Sequence, residues 1–407
     1  MAKEKILLSR NEIKAVGCLV GGAAGDALGF AVEFLEDANI FRYYGENGIT
    51  EYRLADGVAQ ISDDTQMTLF TAEGLLSCDD GESLVDSVYR AYLDWLKTQN
   101  VKEPLSDKGL LAVPELYDRR APGHTCISAL ESGECGRIDY LLNKSKGCGG
   151  IMRVSPVAIY CFNKEIPIAR ADMLGAQTSA ITHTHPLGYI PSAMLVHILY
   201  RIFEGMDIRS AVLDAREAVP PMFEPSEELS LALDIYDRAV VLAETEDVDD
   251  LEALRLIGQG WVAEETLAVA VYCALKYKDD FDKALIASVN HSGDSDSTGA
   301  VTGNIVGACG AILAGGPGAI FWMWIIAFLG MATIYSEAVL AQKTRKINED
   351  GTISGGPVYY IRTAFKGKFG KFLAGFFAVA VIICLGFVGA MVQSNSISSA
   401  SPRHFLM

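Results

Sequence analysis

The sequence predicts an all-α fold that continues into a pair of apolar helices of transmembrane length. Three observations carry this expectation. Up to about residue 313, apolar residues recur at steps of three and four, the spacing that lines one face of a helix. Strict alternation of apolar and polar residues, the mark of a half-buried strand, is scarce. Two late runs, 318–341 and 372–392, carry one charge and none, and each reaches the roughly 20 residues that cross a bilayer. The pattern divides the chain into a helical domain over 1–313 and a membrane-type segment over 314–407.

Ser9 or Asn11 is placed to cap a first helix through EIKAVGCLVGGAAGDALG, because a short polar side chain accepts a bond from the free N–H groups of a first turn. Amphipathic spacing predicts further helices at SLVDSVYRAYLDWLKTQ, PSAMLVHILYRIFEG, LSLALDIYDRAVVLAE and EETLAVAVYCALKY. One stretch, GITEYRLADGVAQIS, is a weak strand candidate. Glycine clusters at 21–29, 45–48, 147–150 and 293–303 predict breaks between helices, filled by polar loops.

The net charge of −17 is unevenly spread: residues 1–314 hold −22 and the remainder +5. Two chemistries share one chain. An acidic domain argues against a general nucleic-acid role, since phosphate binding needs a basic surface. The nine cysteines are scattered, odd in number and never spaced CxxC. That predicts reduced thiols rather than a disulfide framework or a zinc cluster. The opening MAKEKILLSRNEIKAV has no long apolar run, so no secretory leader is expected.

Two acidic clusters lie far apart: Ser62, Asp63, Asp64 and Thr65 in SDDTQM, and Asp294, Ser295, Asp296, Ser297 and Thr298 in SGDSDST. Each pairs carboxylates with hydroxyls, and hard oxygen donors suit Mg²⁺, Mn²⁺ or Ca²⁺ rather than zinc. An EF-hand is excluded for DSDSTG, because its twelfth position would be Ile305, where a bidentate Glu is required. Either cluster alone reads most simply as a helix cap. Two matched clusters in one acidic domain point to a shared metal site.

The run GGAAGDALGFAVEF (21–34) lacks the setting of a dinucleotide loop, and no Walker A sequence is present. Its glycines permit close backbone approach, and Asp26 and Glu33 add polar groups. KSKGCGGIMRVSP (144–156) is a glycine-rich turn entering a helix, a place where N–H groups can meet phosphate, although an ordinary loop has the same composition. THTHP (182–186) has two histidines but no third soft ligand, so hydrogen bonding is expected there rather than zinc.

In order along the chain, GCLVGGAAGDALGFAVEF, SDDTQMTLFTAEGLL, KGCGGIMRVSPVAIY, ITHTHPLGYIPSA and SVNHSGDSDSTGAVTGNIVGA resemble the ADP-ribosylglycohydrolase family, over roughly residues 11–312. The resemblance implies an all-α domain holding two Mg²⁺ or Mn²⁺ ions. It implies hydrolysis of the N- or O-glycosidic bond between ADP-ribose and a protein side chain. The partner is then an ADP-ribosylated protein or an ADP-ribose-containing small molecule. Carried over, Ser62, Asp63, Asp64, Asp294, Asp296 and Ser297 are metal ligands, and Glu33 and Asp64 are catalytic. Gly147, Cys148, Gly149, Gly150 and His183 contact the ADP-ribose. Cys148 stands where many members carry Asn, a departure at one hydrogen bond to ribose or phosphate.

The tail resembles a second family, the sodium:alanine symporters, in GGPGAIFWMWIIAFLGMATIYSEAVLAQK, DGTISGGPVYYI and FLAGFFAVAVIICLGFVGAMVQSNSISSA. The linking TGNIVGACGAI is compatible with both families. Two spans cannot supply the paired repeats of a secondary transporter, so a symporter fragment appended to an enzyme is the expectation. The alternatives are a membrane component of a sodium:amino acid symporter and a catalytically inactive ADP-ribose-binding module. The catalytic domain is expected in the cytoplasm, with membrane association through residues 318–392.

Overall fold

Apolar spacing and polar caps set out a run of helices in the computed structural model, which describes residues 10–79 and 81–310 and the backbone of 346–347 and 353–354. The helices are α1 (Arg10–Gly29), α2 (Asp37–Tyr44), α3 (Asp63–Leu76), α4 (Leu84–Thr98), α5 (His124–Glu131), α6 (Ser155–Asn163) and α7 (Ile168–Ala180). They continue as α8 (Pro186–Glu204), α9 (Ile208–Ala218), α10 (Glu227–Glu244), α11 (Asp250–Ile257), α12 (Ala263–Lys276), α13 (Phe281–Val289) and α14 (Ser295–Ala308). The four amphipathic segments named from spacing form α4, α8, α10 and α12.

The weak strand candidate is a minimal antiparallel hairpin, β1 (Leu54–Ala55) with β2 (Val58–Ala59). Its turn residues Asp56 and Gly57 sit at φ +52° and +82°, the left-handed pair that a two-residue hairpin turn requires. A second pair, β3 (Lys346–Ile347) and β4 (Ile353–Ser354), is also antiparallel. Contacts divide the chain into two units, Met1–Pro317 and Gly318–Met407. The apolar runs 318–341 and 372–392 lie outside the described residues. Among the described residues, no helix is long and apolar enough to cross a membrane.

Helix α8 lies in the middle of the core. Leu187, Ile190, Leu195, Val196, Ile198 and Leu199 are all buried, so apolar residues occupy every side, as a fully enclosed helix demands. His197 bridges its neighbours: its two ring nitrogens lie 2.9 Å from Asp172 of α7 and 2.9 Å from Asp214 of α9. Trp95 of α4 is buried and donates to Gln66 of α3 at 3.1 Å.

Two of the four glycine clusters depart from the expectation, while 45–48 and 147–150 lie between α-helices as expected. Cluster 21–29 lies wholly inside α1, and within 293–303 only Gly293 sits in a turn. The reason is packing. A Cβ at Gly17, Gly21, Gly25 or Gly29 would fall 2.0–2.3 Å from the carbonyl oxygen of Gly307, Gly303, Gly299 or Ser295 respectively. The two helices therefore run antiparallel with their backbones touching along one glycine face. The helical weakness of glycine, about 1 kcal/mol per residue against alanine, is offset by this contact. Asn304 locks the pair by donating to the Cys18 carbonyl at 2.9 Å.

Gly25→Ala should therefore destabilise the domain by at least about 1–3 kcal/mol, because the obstructing atoms are backbone and cannot rotate away. The urea midpoint of the helical signal measures this; a midpoint equal to that of the parent chain would show that the helices can separate freely.

Candidate functional site

Both acidic clusters begin helices. Ser62 precedes α3, and its Oγ accepts the Asp64 N–H at 3.2 Å. Asp294 precedes α14, and its Oδ1 accepts the Ser297 N–H at 3.2 Å. Each cluster is thus a helix cap, the plainer account of its composition. The caps also meet: Ser297 Oγ donates to Asp64 Oδ2 at 2.8 Å, across 233 residues of sequence. Asp63 is fixed from a third segment, accepting the Gly123 N–H at 3.2 Å while its own N–H donates to the Arg120 carbonyl at 3.1 Å. Ser62, Asp63, Asp64, Asp294, Asp296 and Ser297 are all buried.

Burying this much acid has an electrostatic consequence. Desolvation, followed by the charge of Asp296, holds Asp63 and Asp64 well above the ordinary carboxylate range. Burial and then Asp294 do the same to Asp296. Glu33, just beyond α1, is pushed up to about 10, first by burial and then by Asp296, Asp294 and Asp63. Its Oε2 is buried without a hydrogen-bond partner. The N-terminal ends of α3 and α14 offer partial positive charge, a small offset to the carboxyl field. Among the described residues, no group of three or more His, Cys, Asp and Glu side chains is by itself arranged to hold a metal ion.

Opposite the acids lies the glycine-rich turn. Residues Cys148–Arg153 form a single 3₁₀ segment, and Gly147 pairs with Val262 as an isolated bridge. The Cys148 N–H donates to the Trp261 carbonyl at 3.2 Å, and the Ala263 N–H donates to the Lys146 carbonyl at 2.9 Å. The same 259–263 loop reaches the acidic side, where the Asp294 N–H donates to the Gln259 carbonyl at 2.9 Å. Glu265 holds the loop: its Oε2 accepts the N–H groups of Gln259 at 2.9 Å and Gly260 at 3.1 Å. One strap thus aligns both walls.

His183 is buried beside the turn, with Nδ1 at 2.8 Å from Thr182 Oγ1. Burial, with Arg153 behind it, lowers its pKa to about 3, so the ring is neutral. A Cβ at Gly149 would lie 2.8 Å from Cys126 Sγ and 3.0 Å from the His183 ring, which explains the glycine there. The Cys148 thiol donates to Asp294 Oδ2 at 2.7 Å, and burial followed by Asp294 pushes its pKa well up.

Together these groups line a cavity of about 300 Å³. Glu33, Asp63, Asp64, Asp294, Asp296 and Ser297 face it from one side, and Gly147, Cys148, Gly149 and His183 from the other. Two residues named from sequence are not part of its lining. Ser62 is fully buried and serves the α3 cap, and Gly150 packs on Ser179. Among the lining residues that went unnamed are Met152 and the pair Phe34 and Trp261, stacked with ring centroids 5.9 Å apart and 70% and 39% exposed. The segment Ala121–Cys126 also lines the cavity without any clear signal in sequence.

Fold and site define a helical domain built around a carboxylate-walled cavity. The chain belongs to the ADP-ribosylglycohydrolase family, a family of glycosidic hydrolases, whose profile matches residues 8–312. The sodium:alanine symporter family matches residues 269–407, so the two matches overlap from α12 to α14. The sodium/alanine symporter AgcS of Methanococcus maripaludis is 46% identical over 105 residues, 26% of this chain and 23% of that protein. The amino-acid carrier protein AlsT of Bacillus subtilis is 41% identical over 99 residues, 24% of this chain and 20% of that protein. The chain thus spans a quarter or less of the length of these curated relatives. A solved structure described as an ADP-ribosylglycohydrolase-related protein complex aligns with 75% of this chain and 91% of its own, at 22% identity and a TM-score of 0.47.

Glu265→Ala leaves two backbone donors without their charged acceptor, a loss of about 1.5–3 kcal/mol. Amide exchange should accelerate at Gln259 and Gly260 and, through the strap, at Cys148 and Asp294. Unchanged exchange at the last two would show that the walls are held independently.

Proposed function

We propose that the domain hydrolyses the glycosidic bond joining ADP-ribose to a protein side chain, and that its acidic cluster is a two-cation site for Mg²⁺ or Mn²⁺. The observation that carries the reading is the meeting of the Asp64 and Ser297 side chains, which makes one oxygen-rich wall from two distant caps. The donor chemistry fits hard divalent cations. Mutual repulsion among buried carboxyls and the unpartnered Glu33 Oε2 also fit, since a cation would relieve both.

Asp63, Asp64, Asp294, Asp296 and Ser297 would hold the ions, with Ser62 behind them in the α3 cap. Bound, they would offset the carboxyl charge and polarise water and ribose hydroxyls. The chain's own groups do the rest. Within the Gly147–Gly150 turn the Gly149 N–H is the backbone donor assigned to the pyrophosphate, whose charge an acidic wall alone would repel; the N–H groups of Gly147 and Cys148 are held by Ser145 Oγ and the Trp261 carbonyl. His183, neutral and fixed by Thr182, is a hydrogen-bonding contact to ADP-ribose rather than a metal ligand. Glu33 and Asp64 are the proposed catalytic carboxyls. One takes a proton from the attacking water as its oxygen bonds to the ribose carbon; the bond from that carbon to the acceptor side chain breaks, and the other carboxyl, protonated, gives its proton to the departing nitrogen or oxygen. A carboxylate nearby also stabilises the oxocarbenium-like charge on the ribose ring.

Release of ADP-ribose from arginine- and serine-modified proteins, with and without Mg²⁺, tests the reading and identifies the linkage. Asp63→Ala and Asp296→Ala should each abolish release, a loss of several kcal/mol of charge stabilisation, while helix content holds. Near-normal turnover by both at low Mg²⁺ would rule the site out. His183→Ala should weaken ADP-ribose affinity and spare that for Mn²⁺; calorimetry showing the reverse would exchange the roles.

For the tail we propose membrane association of a symporter-like fragment without transport, the domain over 1–313 staying in the cytoplasm. The support is the apolar length of 318–341 and 372–392 and the seven Lys and Arg against two acids over 343–371. The full chain should sediment with membranes and accumulate no alanine. Sodium-driven alanine uptake into vesicles would establish the transporter reading instead.

A further inference from the structure

We infer that Asp26 is a positioning residue for the acidic wall, an inference that rests on the metal-dependent reading of the site. Asp26 lies on α1, fully buried, one turn before the helix ends. Its Oδ1 accepts the Ser62 N–H at 2.8 Å, and its Oδ2 accepts the Thr65 N–H at 3.1 Å. Oδ2 also accepts from the Thr65 hydroxyl. Three of the donors around the start of α3 therefore end on one carboxyl from another helix. Asp63 and Asp64 lie between the two anchored residues.

A carboxyl here adds to an already crowded acidic region, where Asp296 is a neighbouring charge. Its retention needs a reason that an amide or an apolar group would not supply. The reason is acceptor geometry: both oxygens accept, and both are used. An amide offers one accepting oxygen and one donating nitrogen. Whichever way it turns, its NH₂ confronts an N–H of Ser62 or Thr65. Asp26 also joins the glycine contact to the site. Gly25 and Gly29 seat α1 against Gly299 and Ser295 of α14, and Asp26 then sets α3 from the same turn of helix. The Asp64–Ser297 meeting depends on both.

The test uses the full chain with Asp26→Asn and Thr65→Val, read by Mn²⁺ calorimetry, ADP-ribose affinity and amide exchange. Asp26→Asn should keep its helix content, exchange faster at Ser62 and Thr65, and bind Mn²⁺ at least tenfold more weakly. Thr65→Val removes one of the three bonds and should lower Mn²⁺ affinity severalfold. Ile198→Val, a core change in α8, should lower the melting temperature and leave Mn²⁺ affinity unmoved, which separates positioning from general stability. If Asp26→Asn does not fold, Thr65→Val decides alone. Parental Mn²⁺ affinity and parental exchange in a folded variant would overturn the inference. If the parent chain binds no Mn²⁺, the metal reading falls instead, and exchange at Ser62 and Thr65 with ADP-ribose affinity decides the role of Asp26.

Discussion

The backbone contact between α1 and α14 is the constraint on which the rest depends. Helices with ordinary side chains keep their axes some 8–10 Å apart. Here a glycine or serine at every fourth position of both helices removes the side chains between them. The approach brings the start of α14, with its acids, against the end of α1, where Asp26 lies and beyond which Glu33 follows. Larger residues on either face would move these groups apart together, since they share one rigid seam.

The acidic wall follows from a conflict that the fold leaves in place. Helix N-termini favour carboxylates, and two of them meet here with five buried carboxyls around one small space. The helix ends can offset part of that charge, while Glu33 is raised first by burial and then by its acidic neighbours. The opposite wall is neutral: glycine backbone, a thiol and an uncharged imidazole.

Much of the helical framework was legible because it rests on local periodicity. Spacing marked α4, α8, α10 and α12, and the Asp56–Gly57 pair turned a weak strand signal into a hairpin. The ligand-type residues were legible as composition, and their meeting was expected from the match of two clusters rather than from anything local, since nothing in SDDTQM itself refers to SGDSDST. The glycines were misread for a physical reason. Propensity treats glycine as a breaker, and only the partner helix reveals that its missing side chain is the point. Phe34, Trp261 and Ala121 gave no sign. Two are exposed aromatics of ordinary type, and the third is an alanine at φ +51°, a conformation its identity does not announce.

The α1–α14 seam also sets an order of events. Its two halves lie at opposite ends of the domain; the bond from Asn304 to Cys18 alone spans 286 residues. Contacts that distant form late, because the intervening chain must first be closed into a loop. At synthesis rates of about 5–20 residues per second, α1 would wait on the order of half a minute for its partner, its glycine face bare. In that interval a glycine-rich helix is without the surface that offsets its weak propensity, and the nascent chain is open there to chaperones, proteases and wrong partners.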